Sequence, residues 1–370
     1  MKIFHISDTH LGYSAFAKLD PDRGLNQREA DFYDSFGRIV EISLKERPDL
    51  ILHSGDLFDS VRPSNRAISF ALNEIKKLAD AGIGFVAISG NHETPRLRET
   101  GNVFRILDHL PNCDFVYEGE MKRIERNGLE ILALPHTGEE QFRKGLKSVR
   151  ESKKEMPRLM LFHAGMQGLG VFRMNEINEL VMDASDIDSE TDYTAMGHYH
   201  NYVEVAKDCC YSGSTERLSI SEANAEKGYI SLDLSNRKRK FVALPTRKMI
   251  DIKPIDLRGS NASEATKEII RSLDSEGIDG AIARMAVTGL SRDARKDIDM
   301  NQIRRIAQKA LNLELRFSDK EEDQVIQSEA PHIGRLEEEF DRYVERAQIG
   351  DLDRKRLEKE AMMLFAEKEE

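Results

Sequence analysis

The sequence predicts an α/β domain on a mixed sheet, followed by a small α+β module and a pair of C-terminal helices. Three observations predict it. Short apolar runs alternate with helical patterns up to about residue 245, the mark of strand–helix–strand units. Two later runs, 229–234 and 240–244, flank a turn at Asn236 and read as a closing hairpin, which makes the sheet mixed rather than purely parallel. Beyond a polar, acidic stretch, apolar residues return at helical spacing near the end of the chain.

In order, the predicted strands of the first domain (1–245) are 1–7, 49–54, 84–89, 114–117, 129–134, 158–163 and 192–196. A helix over 28–46 places Phe32, Phe36, Ile39, Val40 and Ser43 near one face, and one over 65–81 does the same with Ile68, Ala71, Leu72, Ile75 and Leu78. The second unit (246–319) reads strand 250–256, helix 262–275, strand 281–288, helix 300–310, strand 313–317. Residues 320–332 read as a linker. In 333–370, Leu336, Phe340, Tyr343, Val344 and Ala347 precede Gly350-Asp351, and Leu352, Leu357, Met362, Met363, Leu364 and Phe365 follow it. So short a helical pair cannot bury its own apolar face, so it is expected to fold back or to dock on a partner.

Bulk properties bound the function. Of 370 residues, 39% are hydrophobic and 33% charged, enough for a core and too polar for a membrane protein. No apolar run approaches the roughly 20 residues needed to cross a bilayer. The opening residues lead straight into a strand without a signal-peptide layout, so a cytoplasmic location is expected. Three cysteines, Cys209 and Cys210 adjacent and Cys113 alone, form no Cys-x-x-Cys spacing. The net charge of −11 is opposite in sign to that of a simple basic nucleic-acid binder. Phosphates would have to be held by bound cations and local Arg/Lys clusters.

The chemistry lies in five segments, nearly all at the ends of predicted strands. They are Asp8-Thr9-His10, Gly55-Asp56, Gly90-Asn91-His92-Glu93, His163 and Gly197-His198-Tyr199-His200. Loops at the carboxyl ends of strands in open α/β sheets are where ligands bind. Alternating Asp8/His10 and His198/His200 would present pairs of ligands on one side of an extended backbone. An aspartate after glycine, Asp56, can bridge two cations, and Gly55, Gly90 and Gly197 would permit tight turns. Nitrogen and carboxylate ligands without thiolate suit Mn, Fe, Zn or similar ions. Two such ions about 3.5–4 Å apart form the two-metal device for phosphoryl displacement. His5 and His53 lie inside strands and read as sheet residues; His109, His136 and His332 lack partner spacing and are set aside.

The set Asp8/His10, Asp56, Asn91/His92, His163, His198/His200 resembles the calcineurin-like metallophosphoesterase superfamily. The resemblance implies a four-layer sandwich, two mixed β-sheets flanked by helices. It implies that Asp8, His10, Asp56 and His200 hold one metal and Asp56, Asn91, His163 and His198 the other. His92 would contact the scissile phosphate and protonate the leaving oxygen. Asp8–Tyr13, Arg28–Phe32, Gly55-Asp56-Leu57-Phe58 with Arg62-Pro63-Ser64, and Gly213-Ser214-Thr215-Glu216 further resemble the meiotic-recombination-eleven family. That family is the nuclease half of a double-strand-break repair complex. The likeness implies a Mn-dependent 3′-to-5′ exonuclease and single-strand endonuclease acting on DNA, with 246–319 as a DNA-binding cap. It also implies docking of the C-terminal helices on a Rad-fifty-type coiled-coil ABC ATPase. A homodimer face would come from helices near 65–80 and 99–110, the latter with Val103, Phe104, Ile106, Leu107 and Leu110. Where many members carry a second active-site histidine after Gly-Asp-Leu-Phe, this chain has Asp59. Arg62, Arg96 and Arg98 lie beside the motifs and are candidates to grip flanking phosphates. The competing reading is a small-substrate enzyme of the superfamily, a cyclic-nucleotide phosphodiesterase or a phosphatase; a scaffold that keeps the metals only for structure is a third.

Overall fold

The computed structural model describes residues 1–95, 100–151, 153–167, 180–187 and 191–318. Arg96, Arg98, the predicted linker 320–332 and the predicted helical pair 333–370 lie outside the described residues. In chain order the elements begin β1 (Lys2–Ile6), α1 (Gln27–Glu46), β2 (Leu50–His53), α2 (Asn65–Asp80), β3 (Gly84–Ile88), α3 (Phe104–Leu107) and β4 (Cys113–Val116). They continue with β5 (Lys122–Arg126), β6 (Leu129–Leu134), α4 (Glu139–Glu151), β7 (Arg158–His163), β8 (Gly165–Met166), β9 (Val181–Met182) and β10 (Tyr193–Gly197). After these come β11 (Val203–Ala206), β12 (Cys209–Tyr211), β13 (Gly228–Asp233) and β14 (Lys238–Ala243). The last are β15 (Met249–Asp256), α5 (Ala262–Glu276), β16 (Ile282–Thr288), α6 (Arg292–Lys296), α7 (Met300–Ala307) and β17 (Asn312–Ser318).

Two six-stranded sheets form the body, in the orders β14-β13-β1-β2-β3-β4 and β11-β12-β10-β7-β6-β5. Both are mixed. β1 to β4 run parallel, and β13 closes the first sheet antiparallel to β1. In the second, β6, β7, β10 and β12 run parallel, with β5 and β11 antiparallel at the edges.

Side chains alternate across each strand, and this separates three apolar layers. Ile3, Leu50, Leu52, Val86 and Ile88 of the first sheet meet Ile131, Leu159, Leu161 and Ala195 of the second. On the opposite face of the first sheet, Phe4, Ile6, Ile51 and Phe85 pack against Phe36, Ile39 and Val40 of α1 and Ile75 and Leu78 of α2. On the outer face of the second, Leu132, Leu134 and Phe162 take Phe142, Leu146 and Val149 of α4. Helices, sheet, sheet and helix thus make four layers. Strands covered on both faces read as continuous apolar runs, which is why β2, β3, β6 and β7 were visible in the sequence.

α1 starts where Asn26 accepts hydrogen bonds from the amides of Arg28 and Glu29, an N-cap. It ends on Arg47 in a left-handed conformation. The predicted second helix of the dimer face is, among the described residues, only the single turn α3, preceded by Asn102, whose side-chain oxygen accepts the Phe104 amide.

Arg158 and Glu130 form a buried ion pair between neighbouring strands, 2.5 Å apart with side chains 1% and 0% exposed. Removing one partner of such a pair leaves an uncompensated charge. Glu130→Leu is expected to lower stability by about 3–5 kcal/mol, read as a shift of the denaturation midpoint.

Contact density divides the chain into two compact units. One comprises Met1–Ile252, Ile270–Arg284 and Met300–Glu314; the other comprises, among the described residues, Lys253–Ile269, Met285–Asp299 and 315–318. β15, β16 and β17 pair in that order as a three-stranded sheet. In the second unit, Arg295 lies over the ring of Phe317 at 4.8 Å.

Candidate metal centre

The loops after β1, β2, β3, β7 and β10, all at carboxyl ends of parallel strands, meet at one end of the two sheets. The segment after β1 runs beside the segment after β2, with the amides of Asp8, His10 and Leu11 donating to the carbonyls of Gly55, Asp56 and Leu57. The alternation device expected from sequence takes a different form here. Asp8, His10, Asp56 and His198 have φ of 50°, 42°, 56° and 98°, so these loops are left-handed, not extended. Side chains reach one centre because the backbone turns at each of them. Such conformations cost about 1–3 kcal/mol each and persist only where the surroundings impose them.

The glycines also act differently from the expectation. Only Gly55 has positive φ, 94°, and a Cβ there would meet the His163 ring at 2.2 Å. A Cβ on Gly90 would lie 2.1 Å from Asp56 Oδ1, and one on Gly197 would lie 2.0 Å from the Ser54 carbonyl. Gly90 and Gly197 serve close approach rather than a turn. Gly90→Ala is therefore expected to displace the Asp56 carboxylate, reducing bound metal and thermal stability together; elemental analysis and a melting curve read the two effects.

All seven predicted ligands come together. Asp8, His10 and His200 offer atoms within 4.8 Å of one another, as do Asp8, Asp56 and His163. Asp56 Oδ2 lies 3.2 Å from His163 Nε2 and 3.9 Å from His10 Nε2. Asn91 Oδ1 is 2.9 Å from His163 Nε2 and 3.2 Å from His198 Nδ1. His10 and His200 face each other through Nε2 at 3.3 Å. The Asp8 carboxylate accepts the His198 amide at 3.1 Å.

The hydrogen bonds fix which atoms are lone pairs. His163 Nδ1 lies 2.8 Å from the Ser54 carbonyl. A carbonyl only accepts, so Nδ1 carries a hydrogen and Nε2 is the atom aimed at Asp56, the one that would offer a lone pair to a cation. Buried acceptors facing acceptors are costly unless something positive lies between them. His10 Nδ1, fully buried, makes no hydrogen bond, although Asp59 Oδ1 is 3.3 Å away. These nitrogens and oxygens, without sulfur, fit hard-to-borderline divalent cations.

Charge follows the same pattern. Burial works against the Asp56 carboxylate, yet His163, His10 and His92 hold it well below the usual range. Burial works against a charged His163, but Asp56 and Asp8 raise it to about 9. A cation would take over the role of that proton, so metal uptake is coupled to proton release. Glu93, buried beside Asp56, is pushed well above the ordinary carboxyl range by burial and by that charge, and one of its oxygens accepts the Leu57 amide at 2.7 Å.

His92 sits at the rim, its side chain 34% exposed where Asp56 is at 2%. Its amide donates to Asp56 Oδ1 at 3.0 Å, and its Nδ1 donates to the Asp59 carbonyl at 2.8 Å, so a hydrogen stays on Nδ1. The Asp59 carboxylate is 3.9 Å from His92 Nδ1. Arg62 is exposed in the loop before α2. His5 and His53 are buried sheet residues, both lowered to about 3 by burial first.

Three residues near the centre are not among the sequence candidates. His136 follows β6, donates its amide to Ser89, and is lowered to about 4 by burial and then by His163; its place at a strand end was the available signal. Glu222 lies 3.1 Å from His200 Nδ1, and Lys227 lies 2.6 Å from Glu222. No spacing in the sequence links either one to the motifs.

Comparison with known proteins agrees with this geometry. The model of the family described as calcineurin-like phosphoesterase matches residues 1–202. The chain is 28% identical over 295 residues to the DNA double-strand break repair protein Mre11 of Methanococcus maripaludis, covering 75% of each chain. It is 29% identical over 304 residues to the protein of that name from Methanocaldococcus jannaschii, covering 77% of each. To that from Sulfurisphaera tokodaii it is 30% identical over 201 residues, 54% of this chain and 49% of the relative. With a family model spanning more than half its length and relatives named Mre11 along most of it, the chain belongs to the calcineurin-like phosphoesterases and is an Mre11-like one.

Proposed function

We propose that the chain is a Mn-dependent DNA nuclease, a 3′-to-5′ exonuclease and single-strand endonuclease of double-strand break repair. The observation that carries the reading is the Asp56 carboxylate oxygen within reach of both His163 and His10, beside the ligand groups Asp8/His10/His200 and Asp8/Asp56/His163. Asp8, His10, Asp56 and His200 would hold one divalent cation; Asp56, Asn91, His163 and His198 would hold the other. When bound, the pair would supply Lewis acidity to the phosphoryl oxygens and lower the pKa of the attacking water. DNA as substrate draws on the relatives' names and on the second unit beyond the phosphoesterase core.

The chain's own residues do the rest. His92, with Nδ1 tied to the Asp59 carbonyl, presents Nε2 outward to the phosphate and delivers a proton there to the leaving oxygen. The Asp59 carboxylate supports the charged imidazole. Exposed Arg62 is placed to meet a flanking phosphate. Residues 333–370 are the proposed docking segment for a Rad-fifty-type ATPase. Half-buried Ile68 and Leu72 of α2 and exposed Ile106 of α3 are the proposed homodimer face.

The test compares circular single-stranded DNA with a bis-p-nitrophenyl phosphodiester, each with Mn2+ and with chelator. Mn-dependent cutting of the DNA supports the reading. Cleavage of the small ester alone overturns it in favour of a small-substrate phosphodiesterase.

A further inference from the structure

The loop joining β12 to β13 carries a buried charge pair that the reaction above does not use. Glu222 ends a single helical turn, Ile220–Glu222, and Lys227 stands just ahead of β13. Their side chains are 9% and 0% exposed, with Nζ 2.6 Å from Glu222 Oε2. Burying such a pair is expensive unless its remaining hydrogen-bonding capacity is met. Here it is met, largely by one residue. Glu222 Oε2 also accepts the Leu218 amide at 3.2 Å, and Oε1 lies 3.1 Å from His200 Nδ1. Lys227 Nζ donates to the main-chain oxygen of His200 at 2.7 Å, which also accepts the Ser214 amide at 3.0 Å. The pair grips His200 at both its imidazole and its backbone.

The donors around Oε2 are an ammonium and an amide, so Glu222 is present as an acceptor. The hydrogen between Oε1 and His200 then belongs to Nδ1. That leaves the lone pair on Nε2, the atom aimed into the cluster 3.3 Å from His10 Nε2. A carboxylate behind a ligating histidine fixes its tautomer and ring orientation and raises its basicity. His163 has a weaker counterpart, the neutral Ser54 carbonyl.

We propose that Glu222, braced by Lys227, is a positioning residue that holds His200 in the Nδ1–H tautomer and thereby sets the cation affinity of the Asp8/His10/Asp56/His200 site. The inference rests on the two-cation reading of the centre. Its test has one arm that needs no metal.

In the full-length protein, long-range proton–nitrogen NMR on 15N-histidine reports the His200 tautomer of the metal-free form. Calorimetric titration with Mn2+ reports both sites. Wild type is expected to show Nδ1–H. Glu222→Met should lose that preference and weaken one of the two sites about 10–100-fold, leaving the other within about threefold. Glu222→Gln keeps an acceptor oxygen and should recover both readouts. Glu222→Asp keeps the charge for Lys227 but shortens the reach to His200; it is the variant to use if Glu222→Met does not fold, and should weaken the same site by a smaller factor. An unchanged tautomer with unchanged affinities in Glu222→Met and Glu222→Asp overturns the proposal. So does equal weakening of both sites in every variant, including Glu222→Gln, together with a lowered melting temperature. If wild type binds fewer than two ions, the two-cation reading fails, and the tautomer comparison alone decides the brace.

Discussion

Asp56→Ala is expected to strip both cations from the centre. Among the described residues, Asp56 Oδ2 is the oxygen within 4 Å of both His163 and His10, so one substitution removes a ligand from each site. Its other oxygen accepts the His92 amide, so the proposed proton donor loses its anchor as well. Without the carboxylate the imidazoles of His10, His163 and His200 face a cation site with too little negative charge to offset metal–metal repulsion. Bound Mn2+ should fall from two per chain to trace levels after desalting. Cleavage of DNA should fall on the order of 10³-fold or more. Asn91→Ala is the control, because Asn91 Oδ1 contacts His163 and His198, proposed ligands of one cation only; it should lose one ion and keep the other. Two tightly held ions in Asp56→Ala would refute the bridging role.

How legible this was depended on burial. The strands that host the centre, β1, β2, β3, β7 and β10, are apolar on both faces, and their ends pointed to five motif loops. Edge strands left weaker traces. β5 carries a single buried residue, Ile124, in Lys122–Arg126, because one face and one edge meet water; β12 is only three residues long. Among its described residues α4 buries Phe142, Gly145, Leu146 and Val149 in an otherwise polar stretch. Within the site, the motif residues were visible because their types and order are unusual. Left-handed backbone at Asp8, His10, Asp56 and His198 was not visible, since their hydrogen bonds run to distant segments, between Asp8/His10 and Gly55/Asp56 and from the His198 amide to the Asp8 carboxylate. Glu222 and Lys227 were invisible for a similar reason: a loop far along the chain brings them to His200, and only tertiary structure records that.

His92→Ala separates proton delivery from metal binding. His92 touches the cluster through its ring, edge-on to His10 at a centroid distance of 4.7 Å, and through its amide on Asp56. His92 also offers a nitrogen within 4.8 Å of ligand atoms of His10 and Asp59, but the proposed reaction gives it no ligand role, and its amide survives truncation to alanine. Both cations should therefore remain, within about threefold of wild-type affinity. What disappears is the Nε2 proton donor, and general acid catalysis is worth about 10²–10⁴-fold. The size of the loss should depend on the leaving group. A deoxyribose alkoxide is strongly basic and needs the proton as the bond breaks, so DNA cleavage should drop by that full factor. p-Nitrophenolate is a weak base and leaves unprotonated, so cleavage of its diester should drop far less. The ratio of the two losses, measured on one metal-loaded preparation, is the decisive number. Equal losses would mean that His92 stabilises the phosphoryl charge or the bound substrate rather than delivering a proton. An unimpaired rate on DNA would remove it from the reaction altogether. Asp59→Asn refines the point: it keeps the carbonyl that accepts from His92 Nδ1 and removes the carboxylate 3.9 Å away. Its loss on DNA should exceed its loss on the p-nitrophenyl diester and should not add to that of His92→Ala.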